Sequence, residues 1–302
     1  MKRAVSISIG SSKRNKAVEV TLLGEKISIE RIGMDGDMEA AARKYQELDG
    51  KVDAFGVGGA DLGLMVDDKW YPLHSVKPMV RLIEKTPVVD GTGLKNTLEA
   101  KSAQFLENNL KEYIEKSGGR KVFVVSGADR WGMSSSFLSA GYECTFGDIM
   151  FALEVPVALH TAKQLKTLAA ILMPVVGRVP FEWVYPTGEK QEKRVPKWEK
   201  YYREATIIAG DCHYIKRCMP DDMKGKIVLT NTTTAEDVAL FRELGVKYLI
   251  TTTPVLEGRS FGTNMMEAAL VALSGKGRPL TWEELNEMIA KLGFGPQMQE
   301  LN

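Results

Sequence analysis

Apolar and polar positions alternate with period two through residues 4–9 and 18–23, as in half-buried strands, and residues 26–32 supply the return arm of a hairpin about Gly24. Residues 38–48 switch to helical spacing. Residues 52–57 read as a buried strand that ends in Gly58 and Gly59, and another strand is expected over 86–89. A long amphipathic helix is expected over 96–115, stopping before Gly118 and Gly119. That glycine pair is the expected boundary between two domains, 1–118 and 119–302.

The second half is more regular. A continuous apolar strand at 121–126, a turn at 127–132, a helix at 133–140 and a strand at 142–146 make a βαβ unit. Short β-rich runs follow at 206–209, 226–229 and 248–250, each beside a helical segment. Thr234 with Asp237 and Thr281 with Glu284 fit the capping box and fix two helix starts. Right-handed crossovers turn such alternation into a Rossmann-like, doubly wound parallel sheet, so the fold class is α/β and ligands are expected beyond the carboxyl ends of the strands. Between the regular parts lie a helical run at 165–176 and a polar loop at 185–194, either a solvated connection or a lid in which Lys190 or Arg194 meets an anion.

With 302 residues and 44% hydrophobic content the chain can fill two cores. Its 40 basic and 39 acidic residues nearly cancel, so no global field draws nucleic acid or anionic lipid, and a small molecule is the expected partner. Cys144, Cys212 and Cys218 form no CxxC pair, which suits a reducing cytoplasm. The first residues read as a strand and not as a signal peptide, and no run approaches the roughly 20 apolar residues needed to cross a bilayer. His74, His160 and His213 are scattered, so no metal is expected. Trp70, Tyr71, Phe181 and Trp183 leave two placements open, the core or an interface of domains or of a homodimer.

Candidate chemistry gathers where strands end. The turn from Ser126 to Gly132 stands where a dinucleotide-binding protein has G-x-G-x-x-G: Gly127 and Gly132 are present, Asp129 replaces the middle glycine, and Arg130 can offset its charge. Asp148, about 20 residues on, falls where an acid binds the ribose hydroxyls of NAD and disfavours NADP. Asp211, Asn231, Thr232 and Thr253 follow three other strands and would line the same crevice, although β-branched threonines also favour strands for their own sake. His213 is either an acid or base oriented by Asp211 or a structural histidine. Arg259, in a glycine-containing loop before a helix, is either a group that binds a substrate carboxylate or a surface arginine paired with a nearby acid. In the first half, Asp90 and Lys95 flank a glycine-rich turn and offer an acid/base pair.

The strings VVDGTGLKNTLE, YPTGEKQE, AGDCHYIKRCMPDD, TNTTTAEDV and TTTPVLEGRSFGTN run through nearly the whole chain, which through them resembles bacterial proteins labelled quinate 5-dehydrogenase, relatives by label of the quinate/shikimate dehydrogenases. The resemblance implies an amino-terminal substrate domain, a carboxyl-terminal NAD(P) domain and hydride transfer at a ring hydroxyl of quinate or shikimate. It also implies a catalytic lysine and aspartate from the substrate domain, the aspartate following an Asn–Thr pair. Here Asn96 and Thr97, taken as substrate contacts, are followed by Leu98, and Lys95 and Asp90 are the nearby residues of that chemistry. The expected activity is an NAD-linked oxidoreductase, with Lys95 or His213 passing the hydroxyl proton. The alternatives are a Rossmann-like lyase or transferase, or a nucleotide-binding regulatory module without turnover.

Overall fold

Leu23 and Gly24 both take left-handed backbone, φ 52° and 81°, as a two-residue hairpin turn between right-twisted strands requires. They join β2 (Lys16–Leu22) to β3 (Glu25–Gly33) in antiparallel register. β3 lies parallel to β1 (Lys2–Ser8), and β1 parallel to β4 (Ala54–Gly58). A hairpin of β5 (Gly63–Val66) and β6 (Lys69–Pro72) intervenes, and β7 (Val88–Val89) completes the sheet in the order β2-β3-β1-β4-β7. The computed structural model describes residues 1–181, 194–256 and 259–302.

Ile7, Ile27, Ile29 and Phe55 are fully buried in this first sheet. The helix Met38–Leu48 matches its expected bounds and is N-capped by Asp37, whose carboxylate accepts from Ala40 N. Its Tyr45 is wholly buried, with the hydroxyl 2.9 Å from Gly56 O and 3.2 Å from Ile7 O, so one donor is shared by β4 and β1. The helix Thr263–Ser274 packs across β1, β3 and β4.

The second sheet has the order β9-β8-β10-β11-β12-β15, from β8 (Lys121–Val124), β9 (Glu143–Phe146), β10 (Ile207–Gly210), β11 (Ile227–Thr230), β12 (Tyr248–Thr251) and β15 (Gln297–Glu300). The first five are mutually parallel and β15 is antiparallel. A short ribbon pairs β13 (Val255–Leu256) with β14 (Arg259–Ser260). The strand order reverses between β8 and β10, and that switch point is where a ligand crevice opens in such sheets. Both expected capping boxes are present, at Thr234 and Thr281.

The chain divides into two units, one of Met1–Thr97, Ile171–Gln191 and Phe261–Phe294, the other of Leu98–Ala170, Glu192–Ser260 and Gly295–Asn302. The break expected at Gly118 and Gly119 is therefore misplaced. The helix Ser102–Lys116 packs within the second unit, where the Tyr113 hydroxyl donates to Gly225 O at 2.7 Å and its ring meets Tyr248 edge-on. The apolar residues of Thr263–Ser274 bury themselves on the first sheet, which returns a late segment to the first unit. The single helix expected over 96–115 is also divided, into Thr92–Asn96, a 3-10 turn Glu99–Lys101 and Ser102–Lys116. Asn96 Nδ2 donates to Thr92 O and Thr97 Oγ1 to Gly93 O, closing the first piece on itself.

Of the aromatic residues with two open placements, Tyr71 and Phe181 are buried, Trp70 is 40% exposed and Trp183 lies outside the described residues. Among the described residues no helix is long and apolar enough to cross a membrane, and no group of three or more His, Cys, Asp or Glu could hold a metal ion.

Tyr45→Phe removes the donor that serves two buried carbonyls, and is expected to cost about 1–2 kcal/mol in urea unfolding. An unchanged midpoint would show that the hydroxyl does not tie β4 to β1.

Candidate active site

The carboxyl ends of β4 and β7 bring together four ionisable side chains of the first unit. Lys95, with a side chain 6% exposed, places Nζ 2.7 Å from Asp61 Oδ1, and Asp61 is 18% exposed. Asp90, directly after β7, is buried and turned to the backbone: its oxygens accept from Leu62 N at 2.7 Å and Thr92 N at 3.0 Å. By holding Leu62 it fixes the loop that carries Asp61. The fourth group is Glu267, whose Oε2 accepts from Leu94 N at 3.3 Å. Two glycines permit this approach. Gly91 has φ 98°, and a Cβ on Gly93 would stand 2.6 Å from Glu267 Oε1.

Burial, aided by the nearby Asp90 carboxylate, pushes the Glu267 carboxyl up to about 8, while the Leu94 and Gly93 amides and Lys95 pull the other way. Glu267 is therefore largely protonated at neutral pH and can donate a hydrogen bond. Two groups of opposite function result, a neutral carboxylic acid and a lysine paired to a carboxylate, which is an arrangement suited to proton transfer. Two cavities of this unit, of about 230 and 290 Å³, contain none of the four; the first is lined by Lys2, Asp53 and Lys85, at the opposite end of the sheet.

In the second unit the strand ends at the switch point are organised by Arg130, which is 4% exposed. Its guanidinium meets Glu99 at 2.5 Å, Asp211 at 2.9 Å and Asp129 at 3.1 Å. Asp211 also accepts from Asn231 Nδ2 at 3.0 Å, and its other oxygen accepts from the backbone N of His213 at 2.9 Å. Burial opposes ionisation of Asp211 most strongly, but Arg130, His213 and the His213 backbone amide together hold the carboxyl below its usual range. Thr253 Oγ1 donates to Asn231 O at 2.5 Å. Asp211, Asn231 and Thr253, from three strand ends, thus form one connected network. Thr232 is half-buried beside it, and His213 is exposed, joined to Asp211 through its main chain.

Asp148, at the end of β9, turns its carboxyl back onto the turn after β8. Its oxygens accept from Gly127 N at 2.9 Å and Ala128 N at 2.8 Å, and burial raises its carboxyl to about 6 against the pull of those amides. A Cβ on Gly127 would stand 2.6 Å from Phe146, so the turn is also packed tightly against β9. The pyrophosphate of NAD or NADP does not fit on these two amides: Asp148 already occupies them, Asp129 adds a second carboxylate, and Arg130 is engaged by three acids. Gly132 is buried in the first turn of the helix Trp131–Ser139.

Asn96 and Thr97, expected to touch substrate, spend their side chains on the Thr92 and Gly93 carbonyls. Arg194 pairs with Asp221. Lys190 and the side chain of Arg259 lie outside the described residues. Sequence reasoning missed Asp61, Glu99 and Glu267. The signal for Glu267 was available as a lone acid among the apolar residues of Thr263–Ser274.

A family model described as "Domain of unknown function (DUF8754)" matches residues 93–301, and one described as "Domain of unknown function (DUF8753)" matches residues 3–90. No curated protein matches the chain. Among solved structures, a putative malic enzyme (malate oxidoreductase) is similar at 15% identity and TM-score 0.39, covering 96% of this chain and 76% of that one. The Entamoeba histolytica malic enzyme follows at 11% and 0.36, covering 97% and 70%. A sugar ABC transport substrate-binding protein from Bordetella parapertussis stands at 12% and 0.33, covering 91% and 80%.

The raised Glu267 carboxyl has a consequence for stability. Between about 4.5, its ordinary value, and about 8, the folded chain keeps a proton that the unfolded chain releases, so this group's contribution to stability falls as pH rises through that window. Glu267→Gln, fixed in the neutral form, is expected to gain melting temperature relative to wild type across the same window. A difference that stays flat with pH would show that Glu267 ionises normally.

Proposed function

The chain belongs to the DUF8754 family, and we propose that it is an enzyme that moves a proton at a hydroxyl of a small polyhydroxylated carboxylic acid such as quinate or shikimate. The observation that supports this reading is the Lys95–Asp61 pair at 2.7 Å, set beside Glu267 at the carboxyl edge of the first sheet. It is a lysine–aspartate pair of the amino-terminal part, the kind of pair that the resemblance to quinate/shikimate dehydrogenases implies, with Asp61 in the place of the aspartate. The Lys95 ammonium donates to a substrate oxygen as negative charge gathers there, Asp61 keeps that ammonium oriented, and Asp90 holds the Asp61 loop.

The NAD(P)-dependent oxidoreductase form of this reading requires a dinucleotide to be held elsewhere than on the Gly127 and Ala128 amides. Millimolar NAD or NADP raising the melting temperature supports it, and the absence of a shift removes it. The closed Gly127 turn favours a second reading, a lyase that removes water from the same acid without dinucleotide, Asp61 taking a proton from the carbon beside the departing hydroxyl and Glu267 giving its proton to that hydroxyl, which leaves as water.

Product analysis by NMR after incubation with quinate or shikimate, with and without NAD or NADP, tests both readings. Conversion by wild type is expected, reduced by about 10²–10⁴-fold in Lys95→Met. Conversion that needs the dinucleotide identifies the oxidoreductase, and conversion without it the lyase. No conversion by wild type, or equal conversion by the variant, would overturn the proposal.

A further inference from the structure

We infer that the first unit holds an anion-binding site at the carboxyl ends of β1 and β3, where Arg31 takes a carboxylate or phosphate group of a small ligand. Arg31, half-buried on β3, donates from Nη1 to Ser11 O at 3.0 Å and from Nη2 to the Ser8 hydroxyl at 2.9 Å. Both acceptors are neutral. Among the described residues no carboxylate is paired with this guanidinium; the acid nearest in influence, Asp35, is engaged by Ser12 N at 2.7 Å.

A guanidinium withdrawn from water is normally matched by a carboxylate, because desolvation without a counter-charge is costly. Here burial and the like charge of Arg14 both act against Arg31, and Asp35 offsets them only in part. A guanidinium carries five N–H donors in a planar fork, so these two bonds leave capacity for a forked contact to a carboxylate or phosphate. Gly10 packs closely beside the guanidinium: a Cβ there would lie 3.2 Å from Arg31 Nη2.

The position of the site makes it more than an unbalanced charge. Ile9 N donates to Gly58 O at 3.0 Å, so the end of β1 abuts the end of β4, three residues before Asp61. β1 lies between β3 and β4, so Arg31 is on the same edge of the first sheet as the Lys95–Asp61 pair. The identity of the anion as the carboxylate of a small hydroxy acid rests on the proposed function; the presence of an anion site does not.

Calorimetric titration of the full chain with quinate, with its uncharged amide and with inorganic phosphate tests the inference. Wild type is expected to bind quinate at least about tenfold more tightly than the amide. Arg31→Gln is expected to lose about that factor for quinate and to leave the amide unaffected, with Arg31→Lys, which keeps charge but not the fork, in between. Phosphate binding that depends on Arg31, with no binding of quinate, sustains the anion site and removes the hydroxy-acid reading. If wild type binds neither anion, or binds quinate no better than the amide and phosphate no better than Arg31→Gln does, the site is refuted.

Discussion

Three carboxyl groups and one ammonium share the carboxyl edge of the first sheet, and burial does not allow all four to be charged. Lys95 with Asp61 is one neutralised pair. Asp90 remains, stabilised by two backbone amides, and a further carboxylate beside it would have no partner. Glu267 meets that constraint by keeping its proton. A charge-balancing problem created by folding thus leaves a neutral acid next to a lysine, and the proposed chemistry depends on that difference in protonation.

The fold creates the problem by recruiting distant segments to one edge. Parallel strands end together, so the turns after β4 and β7 lie side by side and bring Asp61 to the Gly91–Gly93 turn. Glu267 arrives from 173 positions beyond Leu94, on a helix whose apolar face needs the cover of β1 and β4. The missing side chain of Gly93 lets the carboxylate come close. The second unit solves its own version differently. There Arg130 pairs with the buried Glu99 and with the partly exposed Asp129 and Asp211 at the switch point, and Asp148 folds onto the turn amides that a phosphate would otherwise use.

Local signals made much of this legible in the sequence. Period two located the β2–β3 hairpin with its turn at Gly24, helical spacing gave Met38–Leu48, and two capping boxes named the helix starts at Thr234 and Thr281. The strand-end positions of Asp211, Asn231 and Thr253 were readable for the same reason, since a parallel sheet gathers its carboxyl ends whatever the sequence distance. What stayed hidden depends on which surface a segment covers. No periodicity tells that Thr263–Ser274 returns to the first sheet, so the boundary at Gly118 was misplaced and Glu267 passed over. β15, polar but for the exposed Met298, has no buried apolar face for a periodicity to reveal, because it is an edge strand facing solvent.

The central claim is that Glu267 is a neutral acid at physiological pH. Carbon-13 NMR of side-chain carboxyls, with Glu267→Gln for assignment, reads this directly. The account predicts one glutamate signal that titrates near 8 and vanishes in the variant. A spectrum in which every glutamate titrates below about 5, as unperturbed carboxyls do, would contradict it.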